Sequence, residues 1–544
     1  MSFGFRRMAF NIDLKKAAKS CDKFLDYGTS GFRSRAEDLD HVLYRTGILS
    51  VLRSKKKNGE TIGLMITASH NPHCDNGVKL IDPDGEMMEQ SWETLATTLI
   101  NADNDSINET VKKIVESEKI DLNQKASIFI GQDTRSSSPA LSQLAISGIK
   151  ALNGSYTDFG VVTTPVLHYM VYCMNAKKTV PRIEDYDNKL INSFNLLNNS
   201  YVKNVKYFPE ITLDGANGVG AIKVNQLKKG LEDVLQIHIY NDGSGELNYK
   251  CGADYVKVNQ RLPDGITIEP NVRCVSLDGD ADRLIYYYVD EKKQFHMLDG
   301  DRIATLIAGY IMELVQYSKV GVSLGLVQTA YANGNSTDYI TNQLKVPVAC
   351  VPTGVKHLHE KAKEFDIGVY FEANGHGTVL YSEEAAEKIR TAAESKLNEK
   401  ERKSAAQRLL DLMNLTNQTV GDAISDMLLV ETVLKARDWS MSDWAKCYTD
   451  LPNRLMKVAV KDRTVIKTTD AERVCTKPEG LQDEINRLIS RFGKGRAFVR
   501  PSGTEDVVRV YSEASTQAEA DELAKLVAAA VHRLAGGVGE APGL

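Results

Sequence analysis

Residues 62–72 read Ile62-Gly63-Leu64-Met65-Ile66-Thr67-Ala68-Ser69-His70-Asn71-Pro72. The apolar run Ile62, Leu64, Met65, Ile66 predicts a buried strand. Pro72 cannot donate to a ladder, so pairing stops and Ser69 falls on the loop at the strand's C-terminal end. Open α/β sheets carry their chemistry on such loops. A hydroxyl beside an imidazole there is a candidate nucleophile next to a candidate acid or base. The competing reading is an ordinary turn serine that caps a helix.

Outward from this stretch, three segments share one rhythm of strand, Gly-rich loop, helix and strand. The first holds Ile62–Thr67, Ser127–Arg135 and a turn at Asp158-Phe159-Gly160. The second holds Glu210–Leu213, Val234–Tyr240 and Val272–Leu277. The third holds Val320–Thr329, Val346–Val351 and Ile367–Phe371. Strands alternating with helical patterns predict βαβ units, a mainly parallel sheet, and three related α/β domains. The polar stretch 177–199, with Pro181 and many Asn and Asp, reads as a linker. Residues 382–445 read as charged helices elaborating the third domain. The last hundred or so residues change character to α+β. Leu455–Val460 is a strand, Pro478–Phe492 a helix and Ala497–Glu513 a strand-loop-strand. Thr516-x-x-Glu519 is a capping box that opens a helix with Leu523, Val527, Ala530 and Leu534 on one face. Gly536-Gly537 stops that helix. The expected domains are 1–180, 181–295, 296–445 and 446–544.

Composition narrows the function classes. The chain has 544 residues, for which length alone suggests about three or four domains. Apolar residues make up 42% and charged residues 26%, as in ordinary globular protein. A formal net charge of −5 argues against a general nucleic-acid binder. Eight cysteines without a C-x-x-C pair suggest reduced thiols. No apolar run reaches membrane-spanning length, and the N-terminus with Arg6 and Arg7 lacks the apolar core of a signal peptide. The expectation is a cytoplasmic protein with neither nucleic acid nor membrane as partner.

Three further loops carry chemistry. Asp278-Gly279-Asp280-Ala281-Asp282-Arg283 joins two strand-like runs. Three carboxylates spaced by two residues can converge on one hard cation such as Mg²⁺. An EF-hand is rejected, since its sixth and twelfth positions would be Arg283 and Val289. In Arg500-Pro501-Ser502-Gly503-Thr504-Glu505, backbone N–H groups and the Ser502 and Thr504 hydroxyls can form an anion nest, with Arg500 and Arg509 adding bidentate charge. In Glu372-Ala373-Asn374-Gly375-His376-Gly377-Thr378, a carboxylate and an amide suit sugar hydroxyls. His376 is a candidate phosphate or proton partner. Within the first domain, Arg33 ends the Gly-rich turn Tyr27–Arg33, and Lys79 closes Asp75-Asn76-Gly77-Val78-Lys79. Both can approach a phosphoryl group on Ser69. Acidic turns and solvated cations are the bland alternative for each loop alone.

Taken together and in this order, the loops resemble those of the α-D-phosphohexomutase superfamily over nearly the whole chain. T-A-S-H-N-P resembles its phosphoserine loop, D-G-D-A-D-R its metal loop, E-A-N-G-H-G-T its sugar loop and R-P-S-G-T-E its phosphate loop. Y-G-T-x-G-F-R and the E-A-N-G-H-G-T loop are similar to the eukaryotic branch that acts on N-acetylglucosamine phosphates. His73 and Cys74 depart from that pattern at its variable pair. The resemblance implies four domains around a central cleft, three α/β and a fourth TATA-box-binding-protein-like. It implies interconversion of N-acetylglucosamine 6-phosphate and 1-phosphate, feeding UDP-N-acetylglucosamine synthesis. Ser69 would carry the phosphoryl group, with one Mg²⁺ per chain on Ser69, Asp278, Asp280 and Asp282. Arg33, His70 and Lys79 would assist, with Lys79 or His70 favoured as acid or base. Glu372, Ala373, Asn374 and His376 would grip the sugar, and Arg500, Pro501, Ser502, Gly503, Thr504 and Arg509 its phosphate. A sugar 1,6-bisphosphate would be intermediate and activator. The expected partner is a small sugar phosphate, and the expected state a monomer, with a weak dimer left open. Glucose or mannose specificity, a Mg²⁺-dependent phosphatase with Asp278 as nucleophile, and a silent sugar-phosphate sensor are the alternatives.

Overall fold

The structure, a computed structural model, describes residues 11–28, 31–199, 204–395, 400–502 and 506–541. Two compact units divide the chain. One comprises Met1–Asp299, Asn374–Thr378 and Asp411–Met441; the other comprises Gly300–Ala373, Val379–Leu410 and Ser442–Leu544.

The first unit holds two five-stranded sheets. Strands β1 (Phe32–Arg35), β2 (Thr61–Ile66), β3 (Asp75–Ile81), β4 (Ser127–Gln132) and β5 (Ser155–Val161) lie in the order β1-β3-β2-β4-β5. Every residue of the central strand β2 is buried, as its unbroken apolar run requires. Strands β6 (Glu210–Asp214), β7 (Gln236–Tyr240), β8 (Cys274–Leu277), β9 (Leu284–Val289) and β10 (Phe295–Leu298) lie in the order β10-β9-β8-β6-β7. Both sheets are mixed rather than mainly parallel. β2 runs parallel to β4 and β4 to β5, but β3 is antiparallel to β2 and β1 to β3. In the second sheet β6 is parallel to β7 and β8, and β9 is antiparallel to β8. Short connections cause this: six- and eight-residue loops can join only antiparallel neighbours, whereas parallel ones need a crossover.

The second unit holds β11 (Leu324–Thr329), β12 (Val348–Val351), β13 (Ile367–Phe371) and all but the first two residues of β14 (Gly377–Tyr381), which form a sheet in the order β12-β11-β13-β14. Its C-terminal part has β15 (Asn453–Ala459), β16 (Lys467–Thr469), β17 (Val474–Lys477), β18 (Arg496–Pro501) and β19 (Val507–Glu513), with β15-β19-β18 as one sheet and β16-β17 as a hairpin. The helix Gln517–Leu534 carries the expected capping box at Thr516 and Glu519 and buries Leu523, Val527 and Ala530 against this sheet. All four candidate loops therefore share one position. Each joins a strand to its next neighbour in the same sheet: β2 to β3, β8 to β9, β13 to β14 and β18 to β19.

Three further expectations change. The stretch 177–199 is not a linker: Ile183–Asn198 is a helix that buries Tyr186, Leu190, Phe194 and Leu197. It packs on the helices Val219–Leu231 and Ala423–Arg437. Spacing of four, four and three supplies an apolar stripe that the surrounding Asn and Asp hide. Asp158-Phe159-Gly160 is not a turn but part of β5, where a register shift opposite Ile130–Gln132 absorbs Gly160 at φ 65°. The described residues of 382–445 are mainly helical, in Glu383–Glu394, Lys400–Leu415, Ala423–Arg437 and Met441–Ala445, but the helix Ala423–Arg437 lies in the first unit, against Ile183–Asn198 and β9.

Lys189 on the Ile183–Asn198 helix donates to the Thr416 carbonyl at 2.9 Å. Burial brings its ammonium down to about 8, against the opposing pull of Asp422. The unfolded chain thus holds more protons between about pH 8 and the free-lysine value near 10.4, so stability from this group rises across that window. Measured against Lys189→Met by urea unfolding, the parent chain is expected to gain stability from about pH 8 to about pH 10. A pH-independent difference contradicts this.

Candidate active site

Ser69 leaves β2 through Thr67, whose Oγ1 accepts the Ser69 N–H at 2.9 Å. Its backbone sits at φ 46°, in the left-handed region that costs a serine about 1–3 kcal/mol. Surrounding donors hold it there. Arg135, fully buried and paired with Asp133 at 2.9 Å, donates to the carbonyls of Ser69 (3.0 Å), Asn71 (2.9 Å) and Asp75 (3.0 Å). Asn248 Nδ2 donates to the same Ser69 and Asn71 carbonyls at 2.8 and 3.0 Å. With its backbone fixed, the Ser69 hydroxyl points at charged groups. Its Oγ lies 3.1 Å from Asp280 Oδ2, 3.2 Å from Arg33 Nη2 and 3.4 Å from Lys79 Nζ. Sheet register explains the two cations: Arg33 on β1 lies opposite Gly77, and Lys79 on β3 lies opposite Met65.

The metal loop meets the serine loop directly. Gly279 permits this, because a Cβ there would stand 2.5 Å from the Ser69 carbonyl oxygen. Asp278, Asp280 and Asp282 are buried, and one ligand atom from each lies within 4.8 Å of the others. Each carboxylate commits one oxygen to the protein. Asp278 Oδ1 accepts the N–H groups of Asp282 and Arg283 at 3.0 and 3.2 Å. Asp280 Oδ2 accepts from Ser69, from Lys79 at 3.1 Å and from Thr164 Oγ1 at 2.7 Å. Asp282 Oδ2 accepts from Lys79 at 3.1 Å. The remaining oxygens, Asp278 Oδ2, Asp280 Oδ1 and Asp282 Oδ1, have no hydrogen-bond partner among the described residues. Asp282 Oδ1 keeps longer ion-pair contacts with His376 and Arg283, at 3.6 and 3.7 Å, but Asp278 Oδ2 and Asp280 Oδ1 are costly to bury unless a cation binds them, and oxygen-only donors fit Mg²⁺.

The electrostatics agree. Burial, with Asp282 and Asp280 adding to it, pushes the Asp278 carboxyl well above the usual carboxylate range. Burial and Asp282 also oppose ionisation of Asp280, yet Lys79 and Thr164 hold it below its ordinary value. Burial opposes ionisation of Asp282, but Lys79 and His376 hold it well below. For Lys79, burial works against the charge and is overcome by Asp280 and Asp282, which raise its value. His70 is pushed down to about 3 by burial and by Arg283 and Arg33, so its imidazole is neutral at physiological pH. Its Nδ1 has no hydrogen-bond partner among the described residues.

His376 lies against the Asp278–Asp282 loop. It is buried, and its Nδ1–H donates to the Asp282 carbonyl at 2.7 Å, bracing the metal loop. Gly375 makes this possible: at φ 87°, a Cβ would stand 1.8 Å from the Leu284 carbonyl oxygen. Asn374 Oδ1 accepts the His376 N–H at 3.0 Å. Glu372 and Ala373 follow β13 and are half-buried.

In the second unit, the phosphate loop springs from a cationic row. Arg500 lies directly opposite Arg509, and Arg509 opposite Lys457. Like charges facing across strands destabilise a sheet, and an anion between them reverses the sign. Pro501 ends β18, and Ser502 is buried with its N–H bonded to the Val507 carbonyl at 2.9 Å. Gly503 and Thr504 lie outside the described residues.

Sequence reasoning missed Arg135, Asn248, Thr164 and Lys457. Arg135 had a signal, since Asp133-Thr134-Arg135 follows β4 as the serine loop follows β2. Asn248 and Thr164 carry no local mark.

Four family models match along the chain. They are phosphoglucomutase/phosphomannomutase α/β/α domain I at 37–106 and 99–181, phosphoacetylglucosamine mutase AMG1 domain II at 177–285 and domain III at 299–439, and the phosphoglucomutase/phosphomannomutase C-terminal domain at 455–530. These matches, in the same order as the sheets, make the chain a four-domain α-D-phosphohexomutase. The human phosphoacetylglucosamine mutase is 51% identical over 528 residues, covering 96% of this chain and 97% of the relative. The Aspergillus fumigatus N-acetylphosphoglucosamine mutase in complex with GlcNAc-6P and magnesium superposes with a TM-score of 0.90 at 44% identity, covering 96% and 99% of the two chains. A serine-to-alanine variant of that enzyme in complex with glucose 1,6-bisphosphate gives a TM-score of 0.88 at 45% identity, covering 96% and 98%. The chain belongs to the phosphoacetylglucosamine mutase family.

Proposed function

We propose that the chain interconverts N-acetylglucosamine 6-phosphate and N-acetylglucosamine 1-phosphate through a phosphoserine at Ser69 and a sugar 1,6-bisphosphate. The observation that carries this reading is the Ser69 hydroxyl, held 3.1 Å from Asp280 and 3.2 Å from Arg33 on the family's serine loop. In the forward half-reaction the phosphorus–oxygen bond to Ser69 breaks and a bond to the sugar hydroxyl forms. In the return half-reaction the other phosphate passes to Ser69. Arg33 and Lys79 hold oxygens of the moving group. The substrate's standing phosphate docks on Arg500, Pro501, Ser502, Gly503, Thr504 and Arg509, and its ring on Glu372, Ala373 and Asn374.

Asp278, Asp280 and Asp282 hold one Mg²⁺, with a phosphoserine oxygen as further ligand; when bound, it supplies positive charge to the transferring phosphoryl group. Lys79 moves the hydroxyl proton. Burial opposes its charge, as does Arg33, but Asp280 and Asp282 outweigh both and hold its value raised, so the charged ammonium, 3.4 Å from the Ser69 hydroxyl, gives a proton to the serine oxygen as the phosphoryl group leaves and takes the sugar hydroxyl's proton in exchange. His70 is the second candidate. His376 braces the Asp282 carbonyl.

No helix among the described residues is long and apolar enough to cross a membrane. All eight cysteines are free thiols, which supports a reducing, cytoplasmic setting. We favour a monomer.

A coupled assay across hexose 6-phosphates, primed with trace bisphosphate, tests the substrate. N-acetylglucosamine 6-phosphate is expected to exceed glucose and mannose 6-phosphates in kcat/KM by at least about tenfold, worth about 1.4 kcal/mol of transition-state discrimination. Equal or inverted preference replaces the reading with a glucose or mannose mutase. Release of inorganic phosphate in place of isomer would favour the phosphatase.

A further inference from the structure

Glu472 lies on the β16–β17 hairpin, in a run of three successive non-glycine residues with left-handed backbones: Asp470 at φ 50°, Ala471 at φ 53° and Glu472 at φ 67°. Such a turn costs about 1–3 kcal/mol per residue and persists only where surrounding contacts hold it. Here it aims one carboxylate at two targets. Glu472 Oε2 accepts the Thr353 N–H at 3.1 Å and the Thr353 hydroxyl at 2.6 Å. Glu472 Oε1 lies 3.4 Å from Arg500 Nε, with the two side chains only 16% and 15% exposed. The contact with Arg500 is an ion pair without a good hydrogen bond: Arg500 Nε and Arg509 Nε both lack a hydrogen-bond partner among the described residues. The cationic row is thus opposed by a carboxylate but not saturated by it.

We propose that Glu472 is a placeholder for the substrate's phosphate, engaging Arg500 when phosphate leaves the clamp and yielding it when phosphate returns. The inference rests on the phosphate loop having the role given above. A mutase that passes through a bisphosphate must let each phosphate off the clamp once per turnover. A clamp with no alternative partner leaves two facing arginines uncompensated at that moment. Glu472 lowers this cost, and it weakens ground-state binding, which does not accelerate the chemical step. Thr353 keeps the carboxylate in place while Arg500 exchanges partners. Glu472 is therefore a positioning residue acting through Arg500.

The test uses the full chain and Glu472→Gln, which retains the volume and an acceptor for Thr353 but removes the charge. Calorimetric titration with inorganic phosphate is expected to show binding about fivefold tighter than in the parent, the effect of removing one partly buried competing charge. On N-acetylglucosamine 6-phosphate, KM and kcat are expected to fall together. Glu472→Ala, which also releases Thr353, is expected to tighten phosphate binding in the same direction. A merely structural glutamate would leave phosphate binding unchanged or weaken it, and either result in the Gln variant overturns the proposal. Phosphate titration needs no turnover, so an error in the assigned sugar leaves this test readable.

Discussion

Ser69→Ala is expected to lower kcat by at least about 10⁴-fold, because the variant has no oxygen to lend to the phosphoryl group. The remaining clamp and cations cannot compensate, since a displaced phosphoryl group would have to find water or a second sugar. Stability should barely change. Alanine at φ 46° is no more strained than serine, and the lost hydroxyl contacts Arg33, Lys79 and Asp280 rather than an apolar core. The unfolding midpoint is expected to move by no more than about 2–4 °C. A coupled assay with added bisphosphate and a thermal scan read the two effects. Turnover near the parent value would refute the nucleophile assignment.

Asp280→Asn carries the second largest expected effect, a loss of about 10³-fold in kcat/KM. Asp280 is where the two loops meet: one oxygen accepts from Ser69, Lys79 and Thr164, and the other is an orphan of the triad. The amide keeps the shape but removes a charge that both the divalent ion and Lys79 use. Chelation of the parent should give a comparable loss, reversed by adding Mg²⁺. Saturating Mg²⁺ should also stabilise the parent, by about 2.7 kcal/mol at a hundredfold excess over Kd. In Asp280→Asn that stabilisation should largely vanish. Equal Mg²⁺ stabilisation of parent and variant would remove the triad as the cation's seat.

The four loops were legible in the sequence because their chemistry is local. Three carboxylates spaced by two residues, or a serine between an apolar strand and a proline, suggest their chemistry without the rest of the fold. The supports were not legible because their roles exist only on assembly. Asn248 is one of many asparagines until its amide meets the Ser69 carbonyl, and Glu472 is an ordinary hairpin acid until it meets Arg500. His376 shows the same limit: its motif marked the loop, but the bond from its Nδ1–H to the Asp282 carbonyl is legible only in the fold. The helix Ile183–Asn198 was hidden by composition, since its stripe of Tyr186, Leu190, Phe194 and Leu197 lies among Asn and Asp that read as loop. Sheet direction failed for another reason. Apolar runs mark strands but do not say which neighbour a short loop will reach, and that decides whether β3 and β9 run antiparallel.

We propose above that Ser69 carries the phosphoryl group between the two ends of the sugar. Incubation with a sugar 1,6-bisphosphate labelled in its phosphates, followed by peptide mass spectrometry, tests it directly. Label is expected on the peptide containing Ser69, acid-stable as a phosphate ester, and is expected to pass to unlabelled N-acetylglucosamine 6-phosphate on a chase. Label on Asp278, or a Ser69 peptide that stays unlabelled while isomer forms, would contradict it.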